Sequence, residues 1–268
     1  MPTTIDSLFR AGALDAAVAA ATDTVRRTQT HVDARVLLAE LLIFTGNLER
    51  ADVLLDTAAA LDPSAALVIS EFRQLLRAET ARRQFWRDGR MPELIGLPTA
   101  AQQASLQAVV ACRTGDLAAA ARMSDSAELS RPVAPGRIGS RTYPDFRDAD
   151  DLCGGSLEVL TTTGKFYWLP IASIESITFH PPLRPRDLAW RRADVSVANG
   201  PDGTVYLPAL YIASAPPATD APVTDALRLG RETAWTETPP VRGVGQRVFL
   251  CGNEGVGMMD LTELHFKP

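Results

Sequence analysis

The sequence predicts an α+β fold: tetratricopeptide-like antiparallel helix pairs, then a β-rich part built as an antiparallel sheet or partly open barrel. Three observations carry this. Residues 1–130 are dense in Ala, Leu and Arg, with little Gly or Pro, which is the composition of packed helices. After residue 150 lie 12 of the 19 prolines, among alternating β-branched and aromatic residues. A Gly-centred motif also recurs in the first half. Helices followed by strands along one chain mark α+β architecture or two domains. The expected divisions are 1–133 helical, 134–149 a linker or ordered crossing, and 150–268 β-rich.

The repeat defines the helical elements. "GALDAA" starts at Gly12, "GNLERA" at Gly46 and "GDLAAA" at Gly115. The first spacing is 34 residues, one tetratricopeptide unit, and the second is 69, about two. From Gly46 the small residues Ala51 and Ala58 are followed by Pro63; from Gly115, Ala120 and Ala127 are followed by Pro132. The first copy keeps Ala17 but has Thr24 and Gln29 at the later positions. Each Gly is expected to close a turn between helices, each Ala to permit close approach, and each Pro to end the second helix. Leu37, Leu41, Leu48, Leu55 and Leu61 supply an apolar stripe. "EFRQLLRAETARRQFWRDGR" (71–90) reads as a further helix whose basic face is expected to be solvated.

Strands follow from alternation and turn chemistry. "LEVLTTTGKFYWLP" (157–170) is a hairpin turning at Thr163-Gly164, and "IESITFH" (174–180) is a strand. A second hairpin, 194–212, turns within Asn199–Gly203. "QRVFLCG" (246–252) is a short strand, and 258–266 a strand with a turn at Asp260.

Charge and motifs exclude several functions. The net charge is −5 and the pI about 5.3, which argues against a general polyanion binder. Residues 1–149 carry 17 Arg against 18 acidic residues, so neither half is basic. The start of the chain has no basic, apolar signal pattern and no run is long enough to span a membrane, so a cytoplasmic setting without membrane contact is expected. Three widely spaced cysteines fit a reducing compartment. There is no phosphate-binding glycine loop; "GGSLE" (154–158) departs from a nucleophile elbow at Glu158. The histidines His31, His180 and His265 lack ligand spacing. "DFRDADDL" (145–152) clusters carboxylates but fails as a calcium loop at Leu152 and Cys153. No catalytic constellation emerges, no cofactor is expected, and the protein reads as a non-enzyme.

The stretch "HPPLRPRDLAWRRADV" (180–195) concentrates arginine and proline in this acidic chain. Its prolines forbid a central strand. Two readings stand. It is a corner locking the two halves, with Asp148, Asp150 or Asp151 pairing with Arg184, Arg186 or Arg191. Or Arg184, Arg186, Trp190 and Arg191 form a protein-binding surface, with Trp190 as anchor.

That stretch, with "GTVYLPALY" (203–211), "GQRVFLCG" (245–252), "DFRDADDLCGGSLEVLTTTGKFYWLP" (145–170) and "LLAELLIFTGNLERAD" (37–52), resembles the ImpE family, also called TagJ or SciE-type proteins. The resemblance implies an accessory protein of bacterial type VI secretion. It would bind the N-terminal helix of the small sheath subunit and work beside the ClpV ATPase that dismantles the contracted sheath. It brings no catalytic residues. Two alternatives remain: a metal-dependent enzyme using 145–151, and a nucleic-acid binder using 71–92 and 184–192.

Overall fold

A computed structural model describes residues 4–212 and 223–266. Seven helices lead: α1 (Ile5–Arg10), α2 (Leu14–Arg27), α3 (Val32–Thr45), α4 (Leu48–Leu61), α5 (Ala66–Asp88), α6 (Ala100–Arg113) and α7 (Leu117–Ser130). The repeated glycines lie in equivalent turns. Gly46 and Gly115 have φ of +79° and +81°, left-handed backbone that glycine adopts without steric cost. Each turn closes with the same hydrogen bonds: Gly46 N–H donates to Ile43 and Asn47 N–H to Leu42, as Gly115 does to Cys112 and Asp116 to Ala111. Asn47 and Asp116 then cap the following helices by accepting from the amides of Arg50 and Ala119. Ala17, Ala51, Ala58, Ala120 and Ala127 are all buried where paired helices meet.

The degenerate first copy shows its defect and its remedy. Ala13 stands where the other copies have a capping side chain, and it makes no side-chain cap. Asp225 replaces the cap from 211 residues away, accepting from Leu14 N–H at 3.0 Å. Between the second and third motifs the repeat lapses. The position 34 residues after Gly46 is Thr80, inside α5, which runs uninterrupted for 23 residues. The expectation of a solvated basic face on 71–90 holds for Arg77, Arg87 and Arg90, which are exposed, and is corrected for the other arginines. Arg82 is 3% exposed, and Arg73 is tied to Asp52 at 2.7 Å and Asp56 at 2.6 Å. Glu79 and Arg82 lie on the same stripe as Phe72, Leu75, Phe85 and Trp86, because 3.6 residues per turn bring all six to one side.

The β-rich part holds β1 (Gly136–Ile138), β2 (Arg141–Tyr143), β3 (Phe146–Asp148), β4 (Ser156–Leu160), β5 (Phe166–Pro170), β6 (Ile174–Phe179), β7 (Trp190–Val197) and β8 (Gly203–Pro208). A short helix α8 (Asp225–Arg228) precedes β9 (Thr233–Trp235), β10 (Gly243–Gly245), β11 (Val248–Cys251), β12 (Glu254–Gly257) and β13 (Glu263–Phe266). The main sheet runs β2-β1-β13-β6-β7-β8-β4-β5, with β12-β11-β3 and β10-β9 as smaller sheets. All these pairings are antiparallel, and the sheets are open rather than closed into a barrel. The segment 134–149, expected as a crossing, carries β1, β2 and β3. Each has three residues; β1 and β3 gain partners from far away, in β13 and β11, and β2 pairs with its neighbour β1.

Side-chain alternation gives the main sheet two apolar faces. Leu157, Val159, Ile177, Val195 and Leu207 form one core with Phe146 and Phe249. Leu160, Phe166, Trp168, Trp190 and Tyr206 turn the other way and pack on α3 and α5. Trp168 meets Phe85 with ring centroids 4.8 Å apart, and Glu93, beyond α5, bonds through its backbone to Phe166 and Trp168 on the edge strand β5.

Replacing Gly46 or Gly115 by Ala forces a Cβ onto left-handed backbone, at a cost of about 1–2 kcal/mol. At Gly115 nothing lies within 4 Å of that Cβ, whereas at Gly46 it falls 2.8 Å from Arg83 Nη1. Denaturant unfolding should therefore show Gly46→Ala as the more destabilised of the two; equal losses would contradict the Arg83 contact.

Candidate functional site

Four side chains, each at most 3% exposed, form an ionic centre where α5 meets the sheet. Glu158 sits mid-strand in β4, on the face turned to the helices. It accepts from Arg82 Nε at 3.0 Å and from Trp86 Nε1 at 2.8 Å, and it touches Arg247. Arg247 also donates to Asp148 at 2.6 Å, and Tyr211 OH donates to the other Asp148 oxygen at 2.8 Å. Burial pushes the Glu158 carboxyl up, but Arg82 and Arg247 outweigh it and hold it at about 2. Every member has partners, as charges in a dry interior require. These charges are paired with one another and tie α5 to the sheet.

The 180–195 stretch makes a second junction. Its prolines reach as far as a 3-10 turn, Pro185–Leu188; Trp190–Val195 then run in β7, between β6 and β8, so the expectation that the stretch holds no central strand is corrected for the residues beyond the prolines. Asp187 holds the turn by accepting from the amides of Leu183 and Arg184. Arg184 touches Glu40 on α3, and Arg186 lies 4.0 Å from the same carboxylate while stacking over Phe72 at 4.7 Å. Trp190 is 2% exposed and meets Phe72 edge-on, so it is core and not an exposed anchor. Arg191 is buried too, donating to the carbonyls of His180 at 2.6 Å and Met259 at 3.1 Å.

The expected pairing of Asp148, Asp150 and Asp151 with Arg184, Arg186 and Arg191 is not the one formed. Asp148 takes Arg247. Asp150 accepts from the amides of Leu152 and Gly243 at 2.9 and 3.0 Å, with Arg242 3.9 Å away. Asp151 accepts from Val241 N–H at 2.6 Å and from Arg147 at 3.2 Å. Asp145 binds Arg131 at the end of α7. The cluster is thus committed to loop backbone and to arginines of strands and neighbouring loops. Among the described residues no group of three or more His, Cys, Asp or Glu side chains is placed to hold a metal. The halves are joined instead by Glu158–Arg82, Glu40–Arg184, Asp145–Arg131 and Glu128–Arg147.

Sequence reasoning missed Glu40, Arg82, Glu158 and Arg247. A signal existed for two of them. Glu158 lies in "SLEVL", where every residue is buried, and Arg82 lies on an apolar helical stripe. A charge in such a setting demands a buried partner.

Among the described residues, α3, α5 and the chain beyond β8 line a cleft of about 480 Å³. Ile43 and Phe44 form one wall; Leu210, Ile212, Leu227 and Val244 form the other. Glu79, Arg82, Arg83, Arg87 and Arg228 supply its charges, and Trp190 contributes to its floor. It occupies the part of the α3–α5 inner face that the 180–190 segment leaves uncovered.

Trp190→Ala should lower stability by about 3–5 kcal/mol, as removal of a buried indole does; an unchanged melting temperature would contradict the core placement. The Glu40 contact makes a pH prediction. Burial pushes its carboxyl up from 4.5 to about 7, against the pull of Arg184 and Arg186. Between those values the folded chain binds more protons than the unfolded chain, so stability falls as pH rises from 4.5 to about 7. Glu40→Gln should flatten that fall in denaturant titrations across the window. An unaltered slope would assign the effect to another group.

Comparison with known proteins agrees with this architecture. The ImpE protein family model matches residues 140–265, and a tetratricopeptide repeat model matches residues 8–70. The chain is 32% identical over 263 residues to the type VI secretion system accessory component TagJ of Pseudomonas aeruginosa, covering 98% of this chain and 91% of that protein. A crystal structure of a Vibrio parahaemolyticus protein superposes with a TM-score of 0.89, at 24% identity, covering 98% of this chain and 97% of the other, and shares the fold. A repeat match in the helices, a family match across the strands and a full-length relative together place the chain in the ImpE (TagJ) family.

Proposed function

We propose that this protein is a non-enzymatic accessory of type VI secretion in the cytoplasm, and that it binds the N-terminal helix of the small sheath subunit in the cleft between α3, α5 and the β-rich part. In this reading it acts beside the ClpV ATPase by holding that helix during sheath turnover. The observation that carries the proposal is the cleft: apolar on two walls, charged along α5, and at the junction of the two parts. An amphipathic helix is marginal alone in water and gains by burying its apolar face in such a groove. The absence of a free nucleophile–base pair at either ionic junction fits a binding role. Within the basic runs 71–92 and 184–192, Arg73, Arg82, Arg83, Arg184 and Arg191 are occupied by Asp52, Asp56, Glu79, Glu158, Glu40 and backbone carbonyls, while Arg77, Arg87, Arg90 and Arg192 are exposed; this partial neutralisation, in a chain of net charge −5, favours protein over nucleic acid as partner.

The test is a pull-down of the small sheath subunit, with and without its first helix, followed by calorimetric titration of that helix as a peptide. Capture should require the helix. Ile212→Asp, at the cleft wall, should weaken peptide binding by about 1–3 kcal/mol while the protein stays folded. Capture of the helix-deleted subunit with full affinity would overturn the proposal.

A further inference from the structure

The cleft differs in charge from the chain around it. Its lining carries four arginines against one glutamate, in a chain of net charge −5. Three of the four arginines already have carboxylates. Arg82 is bound by Glu158 and Glu79. Arg83 is bound by Glu79 at 2.9 Å and reaches the carbonyl of Gly46 at 3.1 Å. Arg228 is bound by Asp15 and Asp225. Arg87 differs. It follows Arg83 by one helical turn on the same side of α5, is exposed at the cleft mouth, and has no carboxylate partner among the described residues. Arg83 and Arg87 also line a second hollow over the α3–α4 turn, whose one carboxylate is Glu49. The two hollows meet along this pair of arginines.

Apolar walls accept a helix in either direction, because apolar contact is not directional. A guanidinium fixed at one side of the mouth removes that ambiguity, since it forms charge-assisted, often bidentate bonds with a carboxylate. Resting on the reading that a sheath-subunit helix occupies the cleft, we propose that this occupant carries acidic side chains on the flank facing α5, and that Arg87 receives them and sets the direction of docking. Arg87 is then a specificity residue, and its contribution is electrostatic: it steers encounter, disfavours a reversed helix and adds affinity that salt screens.

The experiment titrates a synthetic peptide of the small sheath subunit's first helix into the full chain and into Arg87→Glu, at low and at high salt. The wild type should bind more weakly at high salt. Arg87→Glu should bind about tenfold more weakly at low salt and lose most of its salt dependence. A peptide with its acidic side chains replaced by amides should bind the wild type about tenfold more weakly and should discriminate little between the two proteins. Equal binding of the native peptide to wild type and Arg87→Glu, with no salt effect, overturns this inference and leaves the helix-binding function standing. No binding to the folded wild type overturns both. A first helix that lacks acidic side chains yet binds both proteins alike also overturns the inference.

Discussion

The buried ionic centre where α5 meets the sheet is arranged around the carboxylate of Glu158. Taking a carboxylate out of water costs several kcal/mol even in a relaxed interior, and only close, well-aligned donors offset that. Here the donors come from separate regions: Arg82 and Trp86 from α5, and Arg247 from the chain just before β11. Arg247 then recruits Asp148 at the end of β3, and Asp148 recruits Tyr211 beyond β8. One buried charge thereby fixes the position of a helix, three strands and the loop that walls the cleft. Removing Arg247 would take the arginine from both Asp148 and Glu158 at once and leave two buried carboxylates under-paired, which costs more than replacing the whole group by apolar side chains.

Of the 27 basic residues 25 are arginine, and this bias acquires a physical sense from the architecture. Many of these side chains reach across the chain to carbonyls: Arg82 to Leu210, Arg113 to Phe85, Arg191 to His180 and Met259, and Arg231 to Phe9. Phe9 and Phe85 lie in the last turns of α1 and α5, where helix carbonyls lack intrahelical donors. A planar guanidinium carries five donors and can serve a carbonyl and a carboxylate at once, which an ammonium does less well. The same economy appears at α2, whose missing cap is supplied by Asp225. The short helix α8 thus belongs structurally to the first helix pair, and through Leu227 and Arg228 it also borders the cleft.

This packing explains why the repeats do not present a long free surface. The inner face of α3 and α5 is largely consumed by the protein's own β-rich part: Glu40 by Arg184, Phe72 by Arg186 and Trp190, and Phe85 by Trp168. The cleft lies beside this buried face, lined by Ile43 and Phe44 of α3 and by Arg83 and Arg87 of α5. Trp190 lies in the floor of that cleft, whereas Arg184, Arg186 and Arg191 are not part of its lining.

Local rules were enough for much of the fold. The Gly-to-Pro spacing marked the turns at Gly46 and Gly115, because left-handed backbone and close helix approach are demands that a few residues meet by themselves. Thr163-Gly164 and Asn199–Gly203 marked the hairpins for the same reason, and the quoted motifs marked the family. The strands β1, β2 and β3 were hidden, since three residues among prolines carry no period and their partners lie in β11 and β13 or, for β2, in β1 alone. The carboxylate–arginine pairing was hidden as well. Opposite charges at 145–151 and 184–191 suggested each other, but a salt bridge is decided by which side chains share a desolvated space, and sequence proximity or charge count does not reveal that. Only the tertiary structure assigns Asp148 to Arg247, Glu40 to Arg184 and Glu158 to Arg82, because only the packing of the sheet against α5 takes those groups out of water together.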